Sequence, residues 1–185
     1  LKAAKNPLIV SGLSMAHQGV INSAVAVADA LDKATSMLSF CVPECNSLGL
    51  ALMVADGSGS SLSGLAKRAS KLDALIILEN DVYRRGDKSQ IDQLLASGTK
   101  VITLDMVENS TLDQSDLVMA AASYAESQGT LVSSEGRAQR FYPVHSPTAE
   151  RLPSWQWLLR LASVTGHKKL SKLQDFDQIV AACAK

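Results

Sequence analysis

The run Ala74-Leu-Ile-Ile-Leu78 constrains this chain more than any other stretch. Five apolar residues in a row leave no polar face, so the segment reads as a strand apolar on both sides, as interior strands of parallel sheets are. Parallel neighbours need long crossovers, ordinarily helices. The flanking sequence alternates accordingly. Residues 7–12 (PLIVSG) read as a strand ended by a glycine turn. Val20, Ile21, Ala24, Val25, Ala28 and Leu31 recur at helical spacing and give one apolar face. Residues 37–40 read as a second strand, 41–48 as irregular, and 56–63 (DGSGSSLS) as a flexible loop before a helix carrying Leu62, Leu65, Ala66 and Ala69. Asp87 caps a helix with Gln90 three residues on; Ile91, Leu94 and Leu95 form its buried stripe, and Gly98 ends it. Residues 100–104 and 116–120 complete the strands.

That order predicts an α/β fold with a mostly parallel, doubly wound sheet and helices on both faces. Loops at the carboxyl edge of such a sheet bind its ligands. The pattern breaks after Ala122. Residues 128–145 have no clear period and carry Gly129, Gly136 and Pro143, so they read as a long ordered loop. Two helices follow: one capped by Ser154 that buries Trp155, Leu158, Leu159 and Ala162, and one opened by a Ser171–Gln174 capping box with Leu173, Phe176, Ile179, Val180 and Cys183 on its face. Three parts result: an α/β domain over 1–122, an irregular return segment over 123–150, and a helical segment over 151–185.

Composition narrows the function classes. Eighteen basic residues balance eighteen acidic ones, so no net field favours nucleic acid or an anionic membrane. Hydrophobic residues make up 46% and charged residues 19%, which fits a folded globular chain. The apolar runs are too short to span a bilayer. No signal-peptide pattern opens the chain. Its first residue is Leu1 rather than Met, which predicts a piece of a longer polypeptide.

The motifs that invite chemistry are sparse. Cys41 and Cys45 stand at the wrong spacing for a structural zinc or an iron–sulfur cluster and have no second pair; Cys183 lies on an apolar helical face and reads as core. The metal set is therefore empty, and three cysteines predict a reducing, cytoplasmic setting. Residues 57–64 are glycine-rich but lack the lysine and following Ser or Thr of a phosphate loop. After the first strand, Gly12 and Gly19 do not make a dinucleotide fingerprint. His17, His145 and His167 stand in no catalytic motif, so no catalytic residue is assigned. Glu79-Asn80-Asp81 follows the strongest strand, where ligand-facing side chains sit, but Asn and Asp also favour turns for local reasons. Tyr83-Arg84-Arg85 reads as a solvated loop or a protein contact.

Three runs add a family resemblance. They are Leu78-Glu-Asn-Asp-Val-Tyr-Arg-Arg85, residues 105–122 (DMVENSTLDQSDLVMAAA), and Ala122-Ser-Tyr-Ala-Glu126 continuing through Gly129-Thr-Leu-Val-Ser-Ser-Glu-Gly-Arg-Ala-Gln-Arg140. Together they resemble the molybdopterin oxidoreductase superfamily. The EGRAQR spelling with Phe141-Tyr-Pro-Val144 is most similar to the large iron–sulfur (G) subunits of bacterial respiratory NADH:quinone oxidoreductases (complex I). The resemblance implies a Rossmann-like domain followed by a return segment. It implies cofactor-contacting positions at Glu79, Asn80, Asp105, Gly129 and Thr130, vestiges of a pterin-dinucleotide site. It also implies a parent with [4Fe-4S] and [2Fe-2S] clusters upstream, electron transfer from NADH to quinone coupled to ion translocation, and a place on the cytoplasmic side of the inner membrane. The partners it implies are other peripheral-arm subunits and the cluster-bearing domain. The chain departs from molybdenum-using relatives at Asp81 and Ala120, where proline is usual, and at Ser133, where asparagine is usual. Those departures imply a scaffold that has lost molybdopterin. The alternatives are a live molybdopterin site and a free-standing nucleotide-binding module.

Overall fold

The computed structural model describes residues 3–13, 17–31, 37–148 and 150–183. Among these residues seven strands run in chain order: β1 (Leu8–Gly12), β2 (Met37–Cys41), β3 (Ala74–Leu78), β4 (Lys100–Asp105), β5 (Leu117–Ala120), β6 (Gly129–Val132) and β7 (Ala138–Phe141). The helices are α1 (Gln18–Ala30), α2 (Ser47–Met53), α3 (Leu62–Ala66), α4 (Lys88–Leu95), α5 (Ser154–Val164) and α6 (Phe176–Cys183). β1 pairs with β2, and β3-β4-β5 form a three-stranded sheet; every pair in these two sheets is parallel. The α/β class with parallel strands is as the alternation of patterns requires. The chain divides into two compact units, one of Leu1–Ala55 with Thr130–Arg140, the other of Asp56–Gly129 with Phe141–Lys185.

In the first unit α1 packs on β1 and β2. His17 caps it, its Nδ1 accepting from the Gly19 N–H at 3.1 Å. The expected apolar stripe survives only in part. Ile21, Ala24, Ala28 and Leu31 are half-buried, while Val20 and Val25 are exposed, because a two-stranded sheet offers α1 little surface. The segment expected to be irregular over 41–48 contains the start of α2. There Asn46 turns its side chain onto the return segment, accepting from the Val132 N–H at 2.8 Å. A Cβ on Gly49 would fall 2.2 Å from Asn46 Oδ1, so only glycine leaves room for this bridge.

The second unit is built on α4. Asp87 caps it as expected, accepting from the Ser89 N–H at 2.9 Å. Gly98, at φ +81°, ends the turn after it. Ile91, Leu94 and Leu95 are buried against Ile77 of β3 and Val101 of β4. Each such side chain contributes about 1.5–3 kcal/mol of transfer free energy. β3 alternates, however. Leu75 and Ile77 face this core, whereas Ile76 and Leu78 stay 46% and 43% exposed. The expectation of burial on both faces holds for one. β5 gains a further neighbour in Leu152, which bridges Ala121 in parallel, and Trp157 Nε1 donates to the Ala120 carbonyl at 2.9 Å. Ala121 and Ala122 are thereby buried.

Four expectations are corrected. Residues 128–145 are not one loop: β6 and β7 pair as a two-stranded sheet with Gly136 at φ +79° in the turn between them. The strands are four residues each and mostly half-exposed, so they show no period. Ser154 does not cap α5; Pro153 holds that position, and Ser154 is the first helical residue. α6 starts at Phe176, where Asp175 Oδ1 accepts from the Gln178 N–H at 2.8 Å, so Ser171–Gln174 is not its capping box. Cys183 is exposed at the end of α6 rather than core.

One buried carboxylate holds the segment after β5. Glu126 is 3% exposed and completes a capping box, accepting from the Ser123 N–H at 2.9 Å and from Arg151 Nη2 at 2.9 Å. The Ser123 N–H, opposed by desolvation and aided by the Ser123 hydroxyl and Arg151, holds its carboxyl below the ordinary glutamate range. A depressed carboxyl stabilises the fold at neutral pH, and that contribution is lost as pH falls from the ordinary glutamate value through the folded one. Acid titration of stability should therefore be shallower in Glu126→Gln than in wild type; superimposable slopes would contradict this role. In denaturant melts, Ile91→Ala should cost about 2–5 kcal/mol, and a loss below ~1 kcal/mol would remove α4 as the centre of this unit.

Candidate functional site

β3 and β4 end side by side, and their carboxyl-end loops enclose a cavity of about 500 Å³ lined by Glu79, Asn80, Asp81, Arg84, Arg85, Asp105, Val107, Glu108, Asn109 and Ser110. This is the edge at which a parallel sheet presents ligand-binding groups. Three of the five positions implied by the resemblance, Glu79, Asn80 and Asp105, meet here. Gly129 and Thr130 lie in β6, Gly129 in the second unit and Thr130 in the first. A Cβ on Gly129 would fall 2.3 Å from the Phe141 ring, so glycine there answers to packing. The Thr130 hydroxyl is buried and has no hydrogen-bond partner among the described residues.

The polar groups of the cavity are occupied largely by one another. Asp105 Oδ1 accepts from the N–H groups of Met106 at 2.7 Å and Val107 at 3.3 Å, and its Oδ2 accepts from Asn109 Nδ2 at 2.8 Å. Asn109 Oδ1 accepts from the N–H groups of Thr111 and Leu112. The Thr111 hydroxyl, fully buried, donates to Asp81 Oδ1 at 2.8 Å and accepts from the Val82 N–H at 2.9 Å. Asp81 Oδ1 also receives the Tyr83 N–H and opens a single 3₁₀ turn at 82–84. Asn80 Oδ1 accepts from Arg85 Nε at 3.0 Å. A continuous network thus ties the loop after β3 to the loop after β4. Small polar side chains bonding to nearby backbone in this way are the ordinary device of tight loops.

Glu79 departs from that order. Among the described residues it is the one non-glycine residue with positive φ, at +47°. Its N–H donates to the Leu104 carbonyl at 2.7 Å, and its Oε1 accepts from Ser154 Oγ at 2.5 Å. Sequence reasoning found Glu79, Asn80 and Asp105 but missed Asn109, Thr111 and Ser154. The Asn-Ser-Thr spelling of 109–111 was a signal for the first two; Ser154 lies 75 positions from its partner and gave none.

Tyr83 donates its hydroxyl to Asp92 at 2.8 Å, and desolvation, with Asp92 adding to it, raises the phenol above its ordinary value. His167 accepts from the Leu170 N–H. Cys41, Cys45 and Cys183 are exposed, and among the described residues no three His, Cys, Asp or Glu side chains are grouped to hold a metal ion.

The family model for molybdopterin oxidoreductase matches residues 1–164. The G subunit of NADH-quinone oxidoreductase from Pseudomonas putida is 38% identical over 192 residues, covering 100% of this chain and 21% of its own length. The proteins of the same name from Shewanella oneidensis and Escherichia coli K12 are 37% and 36% identical, covering 98% and 97% of this chain and 21% and 20% of their own lengths. The chain spans about a fifth of the length of these curated relatives.

Two substitutions test the local account. Thr111→Val removes the hydroxyl that serves Asp81 and Val82, and should cost about 1–3 kcal/mol in equilibrium unfolding, as an orphaned buried donor does; a neutral result would mean water replaces it freely. Gly129→Ala should destabilise by about 1–3 kcal/mol through overpacking, and Phe141→Leu in the same chain should recover part of the loss. No recovery would place the conflict elsewhere than the Phe141 ring.

Proposed function

This chain belongs to the molybdopterin oxidoreductase family, and we propose that it is a stretch of the large iron–sulfur subunit of a respiratory NADH:quinone oxidoreductase, serving as scaffold rather than catalyst. In this reading the parent passes electrons from NADH through iron–sulfur clusters to quinone with ion translocation. The [4Fe-4S] and [2Fe-2S] clusters are held by cysteines elsewhere in the parent. The chain supports the cluster-bearing domain and meets other peripheral-arm subunits on the cytoplasmic side of the membrane. Similarity along the whole chain to proteins carrying that name supports the parentage. No described helix is long and apolar enough to cross a membrane, which agrees with attachment through the complex. The balanced charge agrees with the absence of nucleic-acid partners.

The observation that carries the scaffold reading is the chemistry of the strand-end cavity. A pterin dinucleotide carries a pyrophosphate, which calls for unpaired N–H donors or cationic side chains. Here four carboxylates (Glu79, Asp81, Asp105, Glu108) face two guanidinium groups (Arg84, Arg85), a formal balance of 2 − 4 = −2. Both oxygens of Asp105 and both polar ends of Asn109 are already engaged. Gly129 is accounted for by Phe141. These residues do not fit the dinucleotide, and no step is routed through it.

The test is elemental analysis of the purified parent subunit, with oxidative extraction for fluorescent pterin. Iron should be stoichiometric, and molybdenum and pterin should be missing. Stoichiometric molybdenum or pterin would replace this reading with that of a live cofactor site. The isolated chain should bind no iron and turn over no NADH; either activity would contradict the scaffold role.

A further inference from the structure

Glu79 is held in a backbone conformation that suits glycine, and its side chain bonds to Ser154, 75 positions away. A residue so placed persists where its surroundings over-determine it. Here the surroundings are two bonds: the Leu104 carbonyl on β4 and the hydroxyl of Ser154, the first residue of α5. The contact with Ser154 is at 2.5 Å and joins a carboxylate to a hydroxyl, which is the short and strong kind of hydrogen bond. α5 has no side-chain cap of its own, since Pro153 precedes it. Its first turn is anchored instead at the strand ends, through Ser154 to Glu79 beyond β3 and through Trp157 to Ala120 at the end of β5, with Leu152 just before the helix bridging Ala121. Glu79 also lines the strand-end cavity.

We propose that Glu79 and Ser154 form a latch that couples the strand-end cavity to the seating of α5. With the latch closed, Ser154 holds the Glu79 carboxylate and thereby the left-handed turn of the cavity wall. Anything that draws the carboxylate away frees the first turn of α5. Anything that displaces α5 relaxes the wall. The coupling is reciprocal, as any thermodynamic coupling between two sites must be. The device stands independently of whether the cavity ever holds a ligand.

The experiment is amide hydrogen exchange by NMR on the full chain, in wild type and in Ser154→Ala, Glu79→Gly, Glu79→Gln and the Ser154→Ala/Glu79→Gly double variant. The reporters are the amides of Leu158 and Leu159 in α5 and the amide of residue 79. Ser154→Ala should speed exchange at all three by about five- to tenfold, the loss expected for one such bond. Glu79→Gly should loosen Leu158 and Leu159 to the same degree, although it relieves the backbone. At Leu158 and Leu159 the double variant should match either single one, because both remove the same contact. Glu79→Gln keeps an acceptor oxygen and should remain close to wild type. Unchanged exchange in Ser154→Ala would overturn the latch. So would effects that multiply in the double variant, or a Glu79→Gln chain as loose as Glu79→Gly. Global stability from denaturant melts separates local opening from general destabilisation: a loss of exchange protection that tracks the melt equally at every amide also counts against the latch.

Discussion

The hydrogen bond from Thr111 to Asp81 closes the part of this molecule on which the strand-end cavity depends. Parallel strands stop at the same edge, and the backbone of their loops loses its ladder partners there. Something must receive the stranded N–H groups. In this chain short polar side chains do so in sequence, from Asp105 through Asn109 and Thr111 to Asp81. Thr111 is fully buried, so its hydroxyl has no water to fall back on. The loops after β3 and β4 are therefore held as one piece, and Val82 and Tyr83 of the first pack against the core that holds Ile91 and Leu94 of α4.

That arrangement bears on function. The polar side chains at the strand ends are used by the fold itself. A cavity survives, but its carboxylates outnumber its guanidinium groups, and its most deeply set polar atoms are spoken for. A family whose name is that of a pterin cofactor is represented here by a chain whose strand ends satisfy themselves. Glu79 is the exception, strained in backbone and bonded to a helix 75 positions away.

Much of the second unit was legible beforehand, because its elements announce themselves locally. ALIIL has no polar face, Asp87 opens α4 and Gly98 follows it, and Ile91, Leu94 and Leu95 fall on one stripe. The strand-end rule reached Glu79, Asn80 and Asp81, which line the cavity, whereas Asp105 came only from the family resemblance. What was missed has a common cause. β6 and β7 are four residues long and hold their places through contacts such as Asn46 to Val132, 86 positions apart. Ser154 looked like a cap, but its hydroxyl serves another strand's end. Ser171 lost to Asp175, four residues on, because the carboxylate reaches the Gln178 N–H. Cys183 kept its helical spacing but stands exposed at the end of α6, where Ile179 and Val180 are the half-buried positions. Local pattern identifies an element; only tertiary partners say which face is covered and which polar group is taken.

The most direct measure of the central claim is the native-state exchange rate of the Val82 amide in the ligand-free chain, since its acceptor is the Thr111 hydroxyl. A network complete without any ligand predicts protection comparable with that of the ladder amides of β4, the central strand of its sheet. Rapid exchange at Val82 beside protected β4 amides would mean that the loops are open and waiting for an occupant, and would contradict the account.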